Sequence, residues 1–212
     1  MGILARTQGM GMAALLLAAS AIISRFMGLV REKFISWQFG AGSEADVYFA
    51  AFVVPDIINY LLAGGFMSIT LIPLLSKRFA EDEADAWKFF STVLTWMTLA
   101  AVGITCIALA FVGPLSHIAA PGLAEPQSER LQFFMCMTLP TQIFFLTGSC
   151  VSALLFLRRQ FIIPALAPLI YNGCIISSVV GLQQLGLVQG MTGYCVGVAI
   201  GSAIGTLLLP LY

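Results

Sequence analysis

Residues 9–37 read GMGMAALLLAASAIISRFMGLVREKFISW. The run is apolar and uncharged as far as Ser24, and then Arg25, Arg31, Glu32 and Lys33 appear without ending it. A bilayer core of about 30 Å is crossed by about 20 apolar residues rising 1.5 Å each. The stretch therefore predicts a first membrane-spanning helix that carries charge in its second half. Arg6 followed by MAALLLAASA also fits the basic, apolar and small-residue order of a secretory leader. The continuation through SRFMGLVRE favours a retained span.

The rest of the chain agrees with that solvent. Of 212 residues 59% are apolar and 9% charged, with ten Lys and Arg against ten Asp and Glu and a single histidine. A soluble domain carries about 25% charged residues, so this chain cannot cover both a core and a watery surface. Nucleic-acid binding, which needs a basic surplus, is excluded, as is disorder, which needs low hydrophobicity. Porin-type strands alternate apolar and polar residues over about ten positions, whereas these runs are longer and unbroken. The prediction is an all-α, polytopic helical bundle with six spans at about 9–37, 45–76, 89–112, 131–157, 164–183 and 192–211, forming one unit over 1–212.

The connections are short. Residues 77–88 (KRFAEDEADAWK) read as a charged loop, 113–130 carry Pro114, Pro121, Gly122 and Pro126, and Arg158-Arg159-Gln160 joins spans four and five. Lys and Arg in short loops stay cytoplasmic. Six spans gather Arg6, Lys77, Arg78, Lys88, Arg158 and Arg159 on one side with little beyond Arg130 on the other, which puts both termini in the cytoplasm. Cys106, Cys136, Cys150, Cys174 and Cys195 form no metal or redox spacing, and His117 stands alone in a loop. No cofactor, metal or enzymatic chemistry is expected, since a positioned base, nucleophile or metal cluster is missing from the pattern.

Ionisable residues inside spans are costly and mark cavities, partners or pathways. Here they are Arg25, Arg31, Glu32, Lys33, Asp46 and Asp56. At 3.6 residues per turn, Arg25, Gly28 and Glu32 form one stripe and Ser24, Gly28 and Arg31 another, overlapping at Gly28. The basic groups are then expected to share one broad face; snorkelling to the outer interface is the alternative, above all for Lys33. Span two exceeds a straight crossing and contains Pro55, Gly64-Gly65 and Pro73, breaks that in transporters mark substrate sites. Asp56, Asn59 and Tyr60 follow Pro55 as a polar stripe, or as glue between helices. Spans four and five are mildly polar, the latter through Pro164, Pro168, Asn172 and Ser177. Gly193, Gly197, Gly201 and Gly205 recur every fourth residue in span six, a small-residue face for close packing.

The blocks SRFMGLVRE, FGAGSEADVYFAAFVVPDII, GGFMSITLIPLLS, APG and QFIIPALAPLIYN, in this order and spacing, resemble the MviN/MurJ family of lipid II flippases, within the superfamily of multidrug, oligosaccharidyl-lipid and polysaccharide exporters. The resemblance implies a two-lobed inner-membrane transporter. Its cargo would be an undecaprenyl-diphosphate-linked peptidoglycan precursor, moved by alternating access through a central cationic cavity. The family's functional arginines fall on Arg25 and Arg31 and its helix-two acid on Asp46. Ser24, Gly28 and Asn59 complete the expected cargo-facing set, with Glu32 and Asp56 as charge partners or coupling groups. The sequence departs from the family where Asn59 replaces an arginine and Gly64 a glutamate, which leaves open another polyprenyl-diphosphate oligosaccharide. A non-transporting scaffold, its arginines paired to Glu32 and Asp46, is the other alternative. The length matches one lobe, so a missing second lobe is expected as partner beside membrane lipid and the glycan cargo.

Overall fold

The computed structural model describes residues 9–40, 42–61, 70–186 and 190–211. Among these the chain is helical: α1 (Met10–Phe39), α2 (Ser43–Ala50), α3 (Val53–Asn59), α4 (Ile72–Glu81), α5 (Glu83–Ala110), α6 (Val112–Ala119), α7 (Glu125–Thr138), α8 (Thr141–Leu157), α9 (Ile162–Gln184) and α10 (Thr192–Gly201). A π-helical segment (Ser202–Leu208) and a last turn, α11 (Leu209–Leu211), follow α10. Four stretches are long and apolar enough to cross a membrane, namely Gly11–Phe39, Glu83–Ala110, Glu125–Leu157 and Ile162–Gly181, and Thr192–Leu208 is a shorter apolar helix.

The expected second span is not one rod among the described residues. It breaks at Ala51 and Phe52 between α2 and α3, while Gly64 and Gly65 lie outside the described residues. Pro55 explains the break. A proline has no N–H for the carbonyl four residues back, here that of Ala51, and the Thr138 hydroxyl donates to that carbonyl instead at 3.1 Å. Thr138 ends α7, where Pro140 causes a second break before α8, and Thr141 donates back to the Thr138 carbonyl at 2.6 Å. Two proline steps are thus joined by one buried threonine, as irregular backbone inside a bilayer must be satisfied by protein.

Two stretches expected as loops are largely helical. Asp82 alone interrupts 77–88: its carboxylate accepts from Ala84 N at 2.8 Å, and Glu83 and Asp85 occupy the first turn of α5, where the helix dipole favours acids. Arg78 pairs with Asp85, Lys77 with Glu81 and Arg158 with Glu83, so the charge density is a cap and an ion-pair cluster. In 113–130, α6 and the start of α7 flank a turn with Gly122 at φ 90°. The tight turn at Arg158 to Gln160 is present, with Arg159 at φ 57°.

The apolar interior falls into two clusters. One, around Tyr48, Leu131, Phe134, Met135, Ile175, Tyr194 and Val198, joins α1, α2, α7, α9 and α10. The other, around Leu71, Leu75, Phe90, Cys150 and Ala153, joins α4, α5 and α8. The glycine ladder works as its spacing predicts. A Cβ on Gly197, Gly201 or Gly205 would come within 2.7 Å of Ile175, 2.8 Å of Tyr171 and 2.9 Å of Ala167 backbone atoms respectively. Every fourth residue of the last span thus meets every fourth of antiparallel α9, and only hydrogen fits between them.

Candidate functional site

α1 lies along α9 and turns one stripe inward. The hydroxyl of Ser20 donates to the Ala165 carbonyl, Ile35 is fully buried, and between them Ser24 and Arg31 meet the same α9 residue. The Asn172 amide nitrogen donates to Ser24 Oγ at 3.1 Å and to the Pro168 carbonyl at 3.1 Å. Its oxygen receives Arg31 Nη1 at 3.5 Å.

Three phenols lie within electrostatic reach of Arg31. Its charge reaches Tyr48, Tyr171 and Tyr194, and the Asp56 charge reaches Tyr171 as well. Tyr194 donates to Gln38 Oε1 at 3.2 Å, and Tyr48 packs edge-on to Phe52, Phe134 and Tyr194. Among the described residues the Tyr48 hydroxyl and Arg31 Nε are both buried without a hydrogen-bond partner. A guanidinium carries five donors, and among the described residues this one uses a single long bond.

The two stripes of α1 separate in space. Arg25 and Arg31 are six residues apart, about 120° around the helix. Ser24 and Arg31 therefore turn toward α9, while Arg25 and Glu32 are exposed and Gly28 has open space where a side chain would stand. Lys33 lies on a further face among Phe26, Leu29, Val30, Phe34 and Trp37, the surroundings of a snorkelling lysine. Asp46 is exposed in the first turn of α2. Asp56 is exposed and Asn59 half-buried on α3. No side-chain hydrogen bond or ion pair joins Arg25, Glu32, Asp46, Asp56 or Asn59 to another described residue. The ion pairs among the described residues are those of Lys77, Arg78, Arg130 and Arg158, so neither α1 arginine has the carboxylate that the scaffold alternative gives it. Among the described residues no group of three or more His, Cys, Asp and Glu could hold a metal.

Sequence reasoning passed over Tyr48, Tyr171 and Tyr194, and took Asn172 only as mild polarity. The signal for Asn172 was its place one turn after Pro168 in an otherwise apolar helix. Also passed over was a clamp at the α2 end: Arg130 Nε and Nη2 donate to Glu44 Oε1 at 3.0 and 2.8 Å, and Nη2 to Thr192 Oγ1 at 3.2 Å. Its guanidinium lies 4.5 Å from the Phe134 ring centroid. The clamp joins α2, α7 and α10, and both charges are about a third exposed. Arg130→Ala is expected to destabilise the protein by about 1–2 kcal/mol, between a surface pair and a buried one. Arg130→Lys should recover less than half of that for want of the planar fork. Thermal unfolding in detergent measures both.

The family profile described as lipid II flippase MurJ matches residues 35–212. The chain belongs to the MurJ family. A "Probable lipid II flippase MurJ" of Synechocystis sp. is 30% identical over 179 residues, covering 81% of this chain and 32% of that protein. A lipid II flippase MurJ of Burkholderia cenocepacia is 29% identical over 174 residues, 79% of this chain and 33% of its own. In fold, the chain is similar to a solved lipid II flippase MurJ in an inward closed conformation, with a TM-score of 0.75 at 23% identity, over 93% of this chain and 40% of that one. The chain thus spans about a third of the length of the curated MurJ relatives it matches. Asp46, Asp56, Asn59 and Asn172 fall inside the MurJ profile match, whereas Arg25 and Arg31 precede it.

Proposed function

We propose that this chain is the amino-terminal lobe of a flippase that carries an undecaprenyl-diphosphate-linked peptidoglycan precursor, lipid II, across the bacterial inner membrane. In this reading it has six spans, with both termini cytoplasmic, and works by alternating access against a second lobe. The observation that carries it is Arg31, a permanently charged group set between two spans with no anionic partner among the described residues. Burying a cation unpaired is expensive, and a phosphate offers the bidentate acceptor a guanidinium fits best. Membership of the MurJ family supports the same cargo.

Arg25 and Arg31 then hold the diphosphate, one exposed on α1 and the other drawn from its seat beside α9. Gly28, with no side chain between them, leaves room for the headgroup, and Ser24 anchors the α1–α9 contact. Asp46 and Asp56 serve as charge partners or coupling groups, and Asn59 as a polar contact to sugar or diphosphate. Fewer cationic groups on the α3 side favour a cargo whose charge is concentrated at the diphosphate; another polyprenyl-diphosphate oligosaccharide meets the same description.

The test is water access in the full-length protein, in a background lacking all native cysteines. Single cysteines at positions 25 and 28 are expected to react with a membrane-impermeant charged thiol reagent, and one at position 26, on the apolar face, to resist it. Protection at both 25 and 28 would contradict a headgroup cavity.

A further inference from the structure

Arg31 needs a place to be when no cargo is bound, and its surroundings show how that place is built. Asn172 is 7% exposed, and its amide orientation is settled by the acceptors around Nδ2: Ser24 Oγ and the Pro168 carbonyl at 3.1 Å each, with the Ser24 carbonyl at 3.5 Å. That leaves Oδ1 facing Arg31 Nη1 at 3.5 Å, the outer limit of a hydrogen bond. The phenols of Tyr48, Tyr171 and Tyr194 lie within electrostatic reach, and among the described residues the buried Arg31 Nε and Tyr48 hydroxyl have no hydrogen-bond partner. This seat orients a guanidinium without neutralising it.

We propose that Asn172 is a positioning residue that parks Arg31 beside α9 through a deliberately weak neutral bond and surrenders it when the diphosphate arrives. The inference rests on the flippase reading above. A carboxylate at the same place would hold the guanidinium in a buried ion pair, far costlier to break than a bond to an amide. An amide keeps the arm aligned and leaves most of its donors for cargo.

Asn172→Asp and Asn172→Ala should therefore move cargo affinity in opposite directions. The measurement uses the full-length protein and a short-chain polyprenyl-diphosphate-linked muropeptide, read as Kd in detergent and as translocation in vesicles. Asn172→Asp is expected to bind at least about tenfold more weakly and translocate correspondingly slowly, with Tm unchanged or raised by the new pair. Asn172→Ala frees the arm and is expected to bind about two- to tenfold more tightly, the worth of one neutral hydrogen bond. Equal losses of affinity in both variants would make Asn172 a direct cargo contact or a packing residue and overturn the seat. Wild-type affinity in both would overturn it equally. If Asn172→Asp does not accumulate, the alanine variant decides: tighter binding supports the seat, and unchanged or weaker binding overturns it. Arg31→Ala separates the two claims. If it translocates normally, the role given to Arg31 in the flippase reading is wrong; if it fails while Asn172→Asp works normally, the seat alone is wrong.

Discussion

Gly148→Ala is expected to destabilise the fold by about 3 kcal/mol or more, the upper end for overpacking, and to lower its accumulation in the membrane. Gly148 lies in α8 against the π-helical end of the last span, and the first carbon of any side chain there would fall on the Thr206 carbonyl carbon and oxygen. Those are backbone atoms, so no rotamer change relieves the overlap. The Thr206 hydroxyl is committed to the Ser202 carbonyl at 2.5 Å, which ties the segment further. Gly103→Ala is the control. Gly103 is on the exposed side of α5 with open space around it, and replacing a helical glycine there should be neutral or stabilising by about 0.5–1 kcal/mol. Tm values of the two variants in detergent, side by side, measure the difference. An unchanged Tm for Gly148→Ala would mean that α8 and the last span do not pack as described.

Arg31→Ala is expected to cost about ten- to hundredfold in translocation, the worth of a charge-assisted bidentate contact, while Tm moves little. The second half of that expectation follows from geometry. A side chain held by one 3.5 Å bond with a buried nitrogen unpartnered contributes little to stability, and its removal relieves a desolvation cost. Arg31→Lys should retain part of the activity, since an ammonium supplies charge without the fork. A large fall in Tm for Arg31→Ala would turn the residue into a structural element and remove it from the cargo site.

Much of this is legible in the sequence. The apolar runs of α1, α5, α7 with α8, and α9 announce themselves through length, and the ladder at Gly197, Gly201 and Gly205 through its four-residue spacing. Pro55 marked the break in the second span, although its partner, Thr138, stands 83 residues further on in the sequence and no local pattern links them. Charge density in 77–88 imitates a loop; Asp82 turns it into a junction between two helices, because one side-chain oxygen suffices to cap.

The site was legible in type and not in arrangement. A helical wheel places Arg25 and Arg31 within one wide face, and only the choice of neighbour decides which of them is turned inward. α9 makes that choice through Asn172, 141 residues from Arg31. Tyr48, Tyr171 and Tyr194 read as ordinary apolar positions, since a phenol looks aromatic in a span until a guanidinium is placed beside it. Asp46, Asp56 and Asn59 sit on the separate short helices α2 and α3 and make no described contact with the arginines, so their grouping with Arg25 and Arg31 rests on the proposed cavity.

The central claim is that α1 supplies the cationic groups with which a flippase grips a lipid-linked diphosphate. Its most direct measurement is translocation of an undecaprenyl-diphosphate-linked muropeptide in vesicles reconstituted with the full-length protein, wild type against the Arg25→Ala, Arg31→Ala double variant. The account predicts that wild-type protein exposes the labelled headgroup on the opposite leaflet and that the double variant, folded and inserted to the same level, leaves it where it began. Equal translocation by the two proteins would contradict the account.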